Sequence, residues 1–405
     1  MREMKDSGIE WIGKIPKEWS IVKFKCLHNG LNTGEAIDKE YWESDAGLNA
    51  FYTAGLTPIR TGYSNFPTWK ETRENDLLLA RNGTPYVYLP VSKAYYTDHI
   101  IRAAMSSLVN RRFIRYCLQQ SIASIAVDSV SIPTWSATLW NNQILTWPSV
   151  IEQERIAAFL DAECAEIDAV LEKTRASIEE YKKLKQAVIT QAVTKGIRGD
   201  RPMKDSGIEW IGEIPAEWRK TQLRHCAAIK SGITLGKKYE KTDSLVERPY
   251  LRVANVQDGY VDLSVLTTIK VTQDEDLKYR LHAGDVLMTE GGDRDKLGRG
   301  CVWHGEIEPC LHQNHIFAVQ TSKDTLLPEF LEYLTVSDVG RSYFDVTAIK
   351  TTNLACTSSS KVLAFTIPLP SVEEQAEIVE ALNTKCAGID ALIAKKQQYL
   401  TEIEN

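Results

Sequence analysis

Two short polar segments carry the side chains best suited to bind a charged or hydrogen-bonding ligand. Residues 81–84 read RNGT, and residues 290–296 read EGGDRDK. Glycine lets the backbone approach a ligand closely, while Arg, Asn and Lys side chains donate hydrogen bonds to phosphates or base edges. Taken singly, each segment is typical of an ordinary polar turn. Because both follow a similar apolar run, at 77–80 and 286–288, a pair of equivalent recognition loops explains the pattern better.

The sequence offers little that indicates catalysis. It has no GxxxxGK[ST] phosphate loop, which argues against ATP binding of that kind. A nuclease could use the acidic string at 274–278, but such strings are common on solvated loops. Residues 310–315 read CLHQNH and resemble half a zinc site, whereas structural zinc requires four ligands. We therefore predict no catalytic residue and no metal in this chain.

Length and composition are those of an ordinary globular protein. The 405 residues are 43% hydrophobic and 25% charged, with eight cysteines and no CxxC pair, which indicates reduced thiols and a cytoplasmic location. No stretch of 18 apolar residues predicts a membrane span. The net charge of −6 comes entirely from segments 150–195 and 372–405. If the protein binds DNA, we expect a partner to supply part of the phosphate neutralisation.

The elements that position the polar loops occur twice, because the chain is an internal duplication. Residues 5–19 read KDSGIEWIGKIPKEW, and residues 204–218 read KDSGIEWIGEIPAEW. The offset between matching residues grows along the chain, from 199 here to 222 at the two PSV segments, 148–150 and 370–372. Only the second copy therefore gains loop residues. We predict two copies of one architecture in a pseudo-two-fold arrangement.

Each copy mixes short strands with a short helix, which predicts an α+β fold. Gly-, Asn- and Pro-rich breaks separate the apolar runs. The strand candidates are Leu77 to Ala80, Tyr86 to Leu89, Tyr250 to Val253, Val286 to Met288 and Ile316 to Val319. The short helices are predicted at Phe113 to Leu118 and Phe330 to Leu334.

A long helix follows each PSV segment. Its apolar residues recur in alternating steps of four and three, which is a coiled-coil repeat. At 1.5 Å per residue, 150–195 would form a rod of roughly 70 Å. We expect each helix to bury its stripe against its duplicate in antiparallel orientation. The predicted seam is Leu160, Cys164, Ile167, Leu171, Ile178 and Tyr181 in the first helix, and Leu382, Cys386, Ile389, Ile393, Leu400 and Ile403 in the second.

In combination these motifs resemble the specificity subunit of type I restriction-modification enzymes. The resemblance rests on SGIEWIGxIPxEW, on the PSVxEQ step into a long helix, and on GDVLMTEGGDRDKLGRG with PCLHQNH, and it covers both halves of the chain. It implies two target recognition domains that each read one part of a split DNA sequence. It also implies an antiparallel coiled coil that sets the gap between the parts. The first domain departs more from the pattern, with NGTPY at 82–86.

The resemblance also implies the domain plan and the partners. The expected domains are 1–149 and 197–371 for target recognition, and 150–196 and 372–405 for the conserved helices, the second of which stops before the counterpart of KLKQAVITQAVTKG. The implied partners are double-stranded DNA, two methyltransferase subunits and restriction subunits, without a membrane. No cofactor is expected in this chain, whereas the partners are expected to use S-adenosylmethionine, ATP and Mg²⁺.

Under this interpretation, the DNA contacts lie in the loops that differ between the copies. The predicted contact residues are Arg81, Asn82 and Thr84 in the first copy, and Arg252, Asn255, Arg294, Lys296, Arg299, Gln313 and Asn314 in the second. Two other hypotheses stay open. One is a coiled-coil scaffold whose domains bind only protein, and the other is a nuclease that cuts DNA with a metal and without partners.

Overall fold

The structure is a computed structural model that describes residues 2–42, 49–53, 55–125, 134–240, 244–292, 297–350 and 355–404. The chain forms two compact units, Met1–Ala169 and Val170–Asn405. Each unit contains one copy of the duplicated segment, and we call these copies the first and second repeats.

Among its described residues, the first unit contains short sheets and three α-helices. In chain order its strands are β1 (Met4–Asp6), β2 (Lys14–Pro16), β3 (Ser20–Lys23), β4 (His28–Thr33), β5 (Asn49–Tyr52), β6 (Ile59–Thr61), β7 (Asp76–Ala80), β8 (Val87–Tyr88), β9 (Tyr95–Tyr96), β10 (Ile100–Met105) and β11 (Ile144–Trp147). Its helices are α1 (Arg111–Ala123), α2 (Ala137–Asn141) and α3 (Val150–Lys195), the last of which continues into the second unit.

The second unit repeats this plan and adds elements. Its strands are β12 (Met203–Asp205), β13 (Glu213–Pro215), β14 (Arg219–Gln222), β15 (Ala227–Ser231), β16 (Leu245–Leu251), β17 (Thr267–Thr272), β18 (Val286–Thr289), β19 (Gly291–Gly292), β20 (Gly300–Val302), β21 (Leu311–His312), β22 (Ile316–Thr321), β23 (Ile349–Lys350), β24 (Ala355–Cys356) and β25 (Thr366–Leu369). Its helices are α4 (Gln273–Tyr279), α5 (Pro328–Val336), α6 (Asp338–Thr347), α7 (Ser359–Ala364) and α8 (Val372–Glu404).

The two repeats have the same sheet topology. The four-stranded sheet has the order β4-β10-β7-β8 in the first repeat and β15-β22-β18-β20 in the second. The three-stranded sheets, β6-β5-β9 and β17-β16-β21, each combine one antiparallel and one parallel pairing. Ile100 pairs with Ala80, and Ile316 pairs with Thr289, so the register also matches the sequence alignment. The prediction of a duplicated α+β architecture is confirmed.

Apolar composition explains why the central strands form where the sequence predicts them. All five residues of β7 and all four of β18 are buried, as expected of strands covered on both faces. A buried aspartate stands at the start of each strand, as the first residue of β7 and as the residue before β18. Asp76 accepts a hydrogen bond from the Arg73 backbone N–H (2.8 Å), and Asp285 accepts one from that of His282 (3.0 Å). The same local turn therefore directs the chain into both sheets.

Two backbone segments approach so closely directly after β4 and directly after β15 that the chain requires glycine there. A Cβ atom on Gly34 would lie 1.9 Å from the Tyr96 carbonyl oxygen, and one on Gly232 would lie 2.2 Å from that of His312. These distances are far below van der Waals contact, so only glycine fits at either position. The approach lets the next residue, Glu35 or Ile233, donate its backbone N–H to the same carbonyl at 2.9 Å.

A Trp–Glu–Arg clamp fastens the opening segment of the first repeat to the start of α3. The indole Nε1 of Trp19 donates to Glu152 Oε2 (2.9 Å), and Arg2 Nη1 donates to Glu152 Oε1 (2.5 Å). Arg2 also pairs with Glu18.

The second repeat contains the same clamp at the start of α8. Trp218 Nε1 donates to Glu374 Oε2 (2.9 Å), and Arg201 Nη1 donates to Glu374 Oε1 (2.6 Å) and to Glu217 (3.0 Å). The clamp joins the two most similar motifs of the duplication, SGIEWIGxIPxEW and PSVxEQ, and gives both a structural role.

Helices α3 and α8 pack together within the second unit in antiparallel orientation. The ion pairs Arg175–Glu404, Lys185–Asp390 (2.7 Å) and Arg198–Glu377 (2.9 Å) advance along α3 and the residues directly after it while they retreat along α8. The antiparallel packing predicted for the helices is therefore confirmed in this unit. No helix among the described residues has the length and apolarity needed to cross a bilayer.

The predicted seam is buried along α8 and only partly along α3. Its residues on α8 are buried or half-buried: Leu382, Cys386, Ile389, Ile393, Leu400 and Ile403. On α3, Ile178 is buried, whereas Leu160, Leu171 and Tyr181 are half-buried. Cys164 and Ile167 are exposed. These two residues lie in the first unit, and the seam at their positions stays a prediction.

Candidate nucleic-acid interface

The topology brings the polar loops of the first repeat to one edge of its sheets. Because β7 ends at Ala80 beside the first residue of β10, residues 81–84 lie next to residues 97–99. The Arg81 backbone N–H donates to the His99 carbonyl (2.9 Å). Gly34 lies against the Tyr96 carbonyl, directly before residues 97–99. We call residues 34–35, 81–84 and 97–99 the first polar edge.

The second repeat has the equivalent edge. The Glu290 backbone N–H donates to the His315 carbonyl (2.9 Å), the counterpart of the Arg81–His99 bond. Arg299 directly precedes β20 at this end of the sheet, where Gly300 pairs with Met288. We call residues 232–233, 252–255, 290–292, 297–299 and 313–315 the second polar edge.

The predicted contacts of the first repeat lie together on a well-anchored loop. Arg81 and Thr84 are exposed, and Asn82 is half-buried with its Nδ2 2.8 Å from His99 Nδ1. Two tryptophans hold the loop from below: Trp135 Nε1 donates to the Gly83 carbonyl and Trp140 Nε1 to the Ala80 carbonyl, both at 3.0 Å. Anchored backbone presents the polar side chains in a fixed geometry, as recognition requires.

The arginines of the second polar edge keep unused hydrogen-bonding capacity. Arg252 is half-buried, and its Nε–H has no hydrogen-bond partner among the described residues. Arg299 Nη1 donates to Gln257 Oε1 (3.3 Å), and its Nε–H also lacks a partner there. Both Nε atoms are themselves buried, so they do not face solvent, and a contact to phosphate or guanine would use the other nitrogens of each guanidinium.

The remaining predicted contact residues of the second repeat differ in their placement. Gln313 and Asn314 are half-buried on the edge, and the Gln313 side chain accepts from the Val253 backbone N–H (3.4 Å). Asn255 is only 4% exposed and spends its amide on the loop itself. Its Nδ2 donates to the Asp262 and Val265 carbonyls at 2.7 and 3.0 Å, so it positions Arg252 instead of facing solvent. Arg294 and Lys296 lie outside the described residues.

Two histidines at matched positions were not among the predicted contacts. His99 and His315 are both exposed, and each contacts a polar side chain of the neighbouring loop. His315 Nδ1 lies 2.5 Å from Glu290 Oε2, whereas His99 contacts the neutral Asn82. The sequence signal was available, because the two histidines align ahead of the strands β10 and β22.

The CLHQNH segment has a structural role at this edge. Burial lowers the pKa of His312 to about 4, so the ring stays neutral, and its Nδ1 lies 3.0 Å from the Ile316 carbonyl oxygen. Cys310 is buried in the core beneath it. No cluster of three potential metal ligands occurs among the residues that the structure describes.

Comparisons with known proteins agree on one family. No protein-family model matches the chain. The chain is 24% identical to the type I restriction enzyme MjaVIII specificity subunit of Methanocaldococcus jannaschii, an alignment that covers 96% of this chain and 90% of that protein. It is 26% identical to the EcoBI specificity subunit of Escherichia coli, over 73% of this chain and 63% of that protein. A third relative, an MjaX specificity subunit of M. jannaschii, is matched at 27% over 43% of this chain and 40% of its own length.

A solved structure shares the fold. It concerns the assembly and conformational transition of a type I restriction–modification system, and the likeness has a TM-score of 0.67 at 16% identity. The match covers 96% of this chain and 95% of that chain. The likeness therefore spans both repeats and both long helices.

Proposed function

Because this chain belongs to the family of type I restriction enzyme specificity subunits, we propose that it is the non-catalytic subunit that reads DNA for such an enzyme. Its target is a bipartite sequence in double-stranded DNA. The first polar edge reads one part, and the second polar edge reads the other. The chain positions two adenine methyltransferase subunits and the restriction subunits on that target, and the methyltransferase flips the adenine out of the duplex.

One observation carries the proposal: the polar edges share their backbone and differ in their side chains. A protein that read the same half-site twice would need the same donors and acceptors at both edges. Instead, Arg81 of the first edge corresponds to Glu290 of the second, and Asn82 corresponds to Gly291. Different side chains on a common frame favour two different half-sites.

The charge of the chain is consistent with a DNA reader that works in a complex. The net charge is −6, so long-range attraction to phosphates is weak in the isolated chain. Arg81, Arg252 and Arg299 supply local positive charge at the edges. Methyltransferase subunits would then contribute the remaining phosphate contacts, on which affinity depends.

The antiparallel helices α3 and α8 are proposed to set the gap between the half-sites. Proteins that read two half-sites place their reading elements about one turn of DNA apart, ~34–36 Å. A helical strut keeps such a distance constant because each residue adds a fixed rise.

The test is methylation of a DNA library by the chain assembled with its methyltransferase. The library carries two randomised blocks separated by gaps of different lengths, and the methylated molecules are sequenced. We expect two short sequence blocks at one preferred gap. Methylation without any sequence preference would contradict DNA reading and would favour the scaffold hypothesis. DNA cutting by the chain alone with a divalent metal would instead favour the nuclease hypothesis.

The gap is tested separately by shortening the helices. Deleting one heptad from each helix, residues 171–177 and the equivalent 393–399, should change the preferred gap and leave both blocks unchanged. If the preferred gap is unchanged after the heptads are deleted, the helices do not set the gap. That result would leave the reading of the two blocks unaffected.

A further inference from the structure

Each polar edge contains an exposed histidine that is held by the same backbone hydrogen bond. The His99 carbonyl accepts from the Arg81 N–H, and the His315 carbonyl accepts from the Glu290 N–H, both at 2.9 Å. Each histidine directly precedes an inner strand of the four-stranded sheet, β10 or β22. The backbone therefore holds the two imidazole rings at equivalent places, and any difference between the rings comes from the side chains beside them.

The side chain beside the first ring donates a hydrogen bond to it. His99 Nδ1 lies 2.8 Å from Asn82 Nδ2, which is an amide nitrogen. An amide nitrogen carries two hydrogens and does not accept hydrogen bonds. Nδ1 must therefore accept, and in the neutral ring the proton is on Nε2. The Nε2 atom of His99 is thus a hydrogen-bond donor.

The side chain beside the second ring accepts a hydrogen bond from it. His315 Nδ1 lies 2.5 Å from Glu290 Oε2, and an ionised carboxylate has no hydrogen to donate. Nδ1 must therefore carry a proton, and in the neutral ring Nε2 keeps its lone pair. The Nε2 atom of His315 is thus a hydrogen-bond acceptor. Two rings at equivalent places present opposite hydrogen-bonding groups.

Both Nε2 atoms are available for a ligand. Neither of them has a hydrogen-bond partner among the described residues, and both side chains are exposed, that of His315 to 54%. Because Nδ1 of each ring is bonded to the neighbouring loop, the ring is oriented and its Nε2 is held in one direction. Contacts between exposed side chains contribute little to stability, so a purely structural role explains these two pairs poorly.

The structural histidine of the second edge is a different residue. His312 is fully buried, and its Nδ1 lies 3.0 Å from the Ile316 carbonyl oxygen. It lies three residues before His315 in the same loop and contributes to the packing beneath the edge. The exposed ring of His315 is therefore not needed for that packing.

We propose that His99 and His315 are specificity-determining residues of the two half-sites, and that Asn82 and Glu290 are positioning residues that fix their opposite roles. His99 reads an acceptor on a base edge, such as N7 or O6 of guanine, through its Nε2–H. His315 reads a donor, the exocyclic amino group of adenine or cytosine, through its Nε2 lone pair. This role rests on the proposed function, because it requires that both polar edges contact DNA.

The proton positions are tested in the full chain without DNA. Nitrogen NMR of protein labelled at its seven histidines distinguishes rings that carry Nδ1–H from rings that carry Nε2–H, and His99→Ala and His315→Ala assign the two signals. At pH 9, where imidazole is ordinarily neutral, we expect Nε2–H for His99 and Nδ1–H for His315. Asn82→Asp replaces the amide with a carboxylate of the same shape and should convert His99 to the Nδ1–H form.

Base reading is tested with the assembled methyltransferase and the randomised DNA library. Asn82→Asp should change the preferred base at one position of one block by about fivefold, the low end of the range for a base contact. The same substitution should have no effect on base preference in a His99→Ala background. Glu290→Gln should relax one position of the other block by a similar factor, because an amide can donate or accept and so allows both forms of the ring.

The matched control is Asn65→Asp, which adds the same charge at an exposed residue outside the first polar edge. It should leave both blocks and the His99 signal unchanged. Equal effects of Asn65→Asp and Asn82→Asp on the first block would overturn the proposal, because added charge alone would then explain the change.

The proposal is also overturned if the two rings carry their proton on the same nitrogen, or if Asn82→Asp acts equally with and without His99. Two distinct blocks that His99→Ala and His315→Ala leave unchanged would overturn this inference alone. Methylation without sequence preference by the unaltered chain would overturn the proposed function, and the roles of both histidines with it. The two failures are therefore distinguishable in one set of experiments.

Discussion

The first and second repeats share a buried framework and differ where side chains reach solvent. Strand order, register, the close-approach glycines and the Trp–Glu–Arg clamp recur in both. By contrast, His99 contacts neutral Asn82, whereas the matched His315 contacts Glu290. Backbone hydrogen bonds therefore fix where the polar groups lie, and the side chains are free to determine what is bound.

The clamp should give the largest difference in stability between the repeats. Glu374→Ala leaves the Trp218 N–H without its acceptor and leaves the largely buried Arg201 with only Glu217 and the Lys195 carbonyl, which we expect to cost about 3 kcal/mol, the low end of the range for breaking a buried ion pair. Glu152→Ala, the matched change at the more exposed clamp, should cost less. Hydrogen exchange followed by mass spectrometry measures the opening free energy of each repeat separately. Equal losses would mean that the difference in burial has no energetic consequence.

Substitution of the close-approach glycine should destabilise the two repeats to a similar extent. Gly34→Ala and Gly232→Ala each drive a Cβ atom into a carbonyl oxygen, so we expect each to destabilise its own repeat by about 3 kcal/mol, the upper part of the range for overpacking. Gly199→Ala, where a Cβ atom meets nothing within 4 Å, is the control and should be nearly neutral. A neutral result at Gly34 or Gly232 in urea unfolding would contradict the close approach.

A buried carboxyl group should make the stability of the second repeat depend on pH. Burial raises the pKa of Glu332 from 4.5 to about 7, although the Val302 N–H donates to it (3.3 Å). Between these two values the folded state binds the proton more tightly than the unfolded state, so stability falls as pH rises. Glu332→Gln should remove this loss and stabilise the protein by about 2 kcal/mol above pH 7.

The control for that prediction lies in the first repeat, where the matched residue is Arg115. Arg115→Gln should leave the pH dependence of the first repeat unchanged, including the part that comes from Asp76, a carboxyl group whose pKa burial also raises. If Glu332→Gln leaves the pH dependence of the second repeat unaltered, the carboxyl group is solvated in the native protein.

Substitutions at the polar edges should have the smallest effect in energy and the sharpest in specificity. Arg81→Ala should relax one block of the DNA target, and Arg299→Ala should relax the other, each by on the order of 1 kcal/mol, the low end of the range for a base contact. Methylation of the randomised library measures both. Loss of both blocks in either variant would show that the edges do not read separate half-sites.

The sequence predicted the strands and helices better than it predicted the contacts of individual polar side chains. The strands β7 and β18 are continuous apolar runs, and the long helices have an unbroken repeat, so local pattern was sufficient. Asn255 was predicted to contact DNA because asparagine often does so, but its amide is bonded to the loop, which depends on how the chain folds back at Asp262. The bond between Glu152 and Trp19 joins residues far apart in sequence, so no local pattern indicates it.

The paired clamps have a consequence for how such a protein can change. Arginine, tryptophan and glutamate occupy the same three fastening points in both repeats, so the joint does not depend on the residues that lie between them. A block such as 20–148 could therefore take the place of 219–370 with the clamp residues unaltered. Under the proposed function, exchange of such a block by recombination would give a new pair of half-sites while the two joints stay the same.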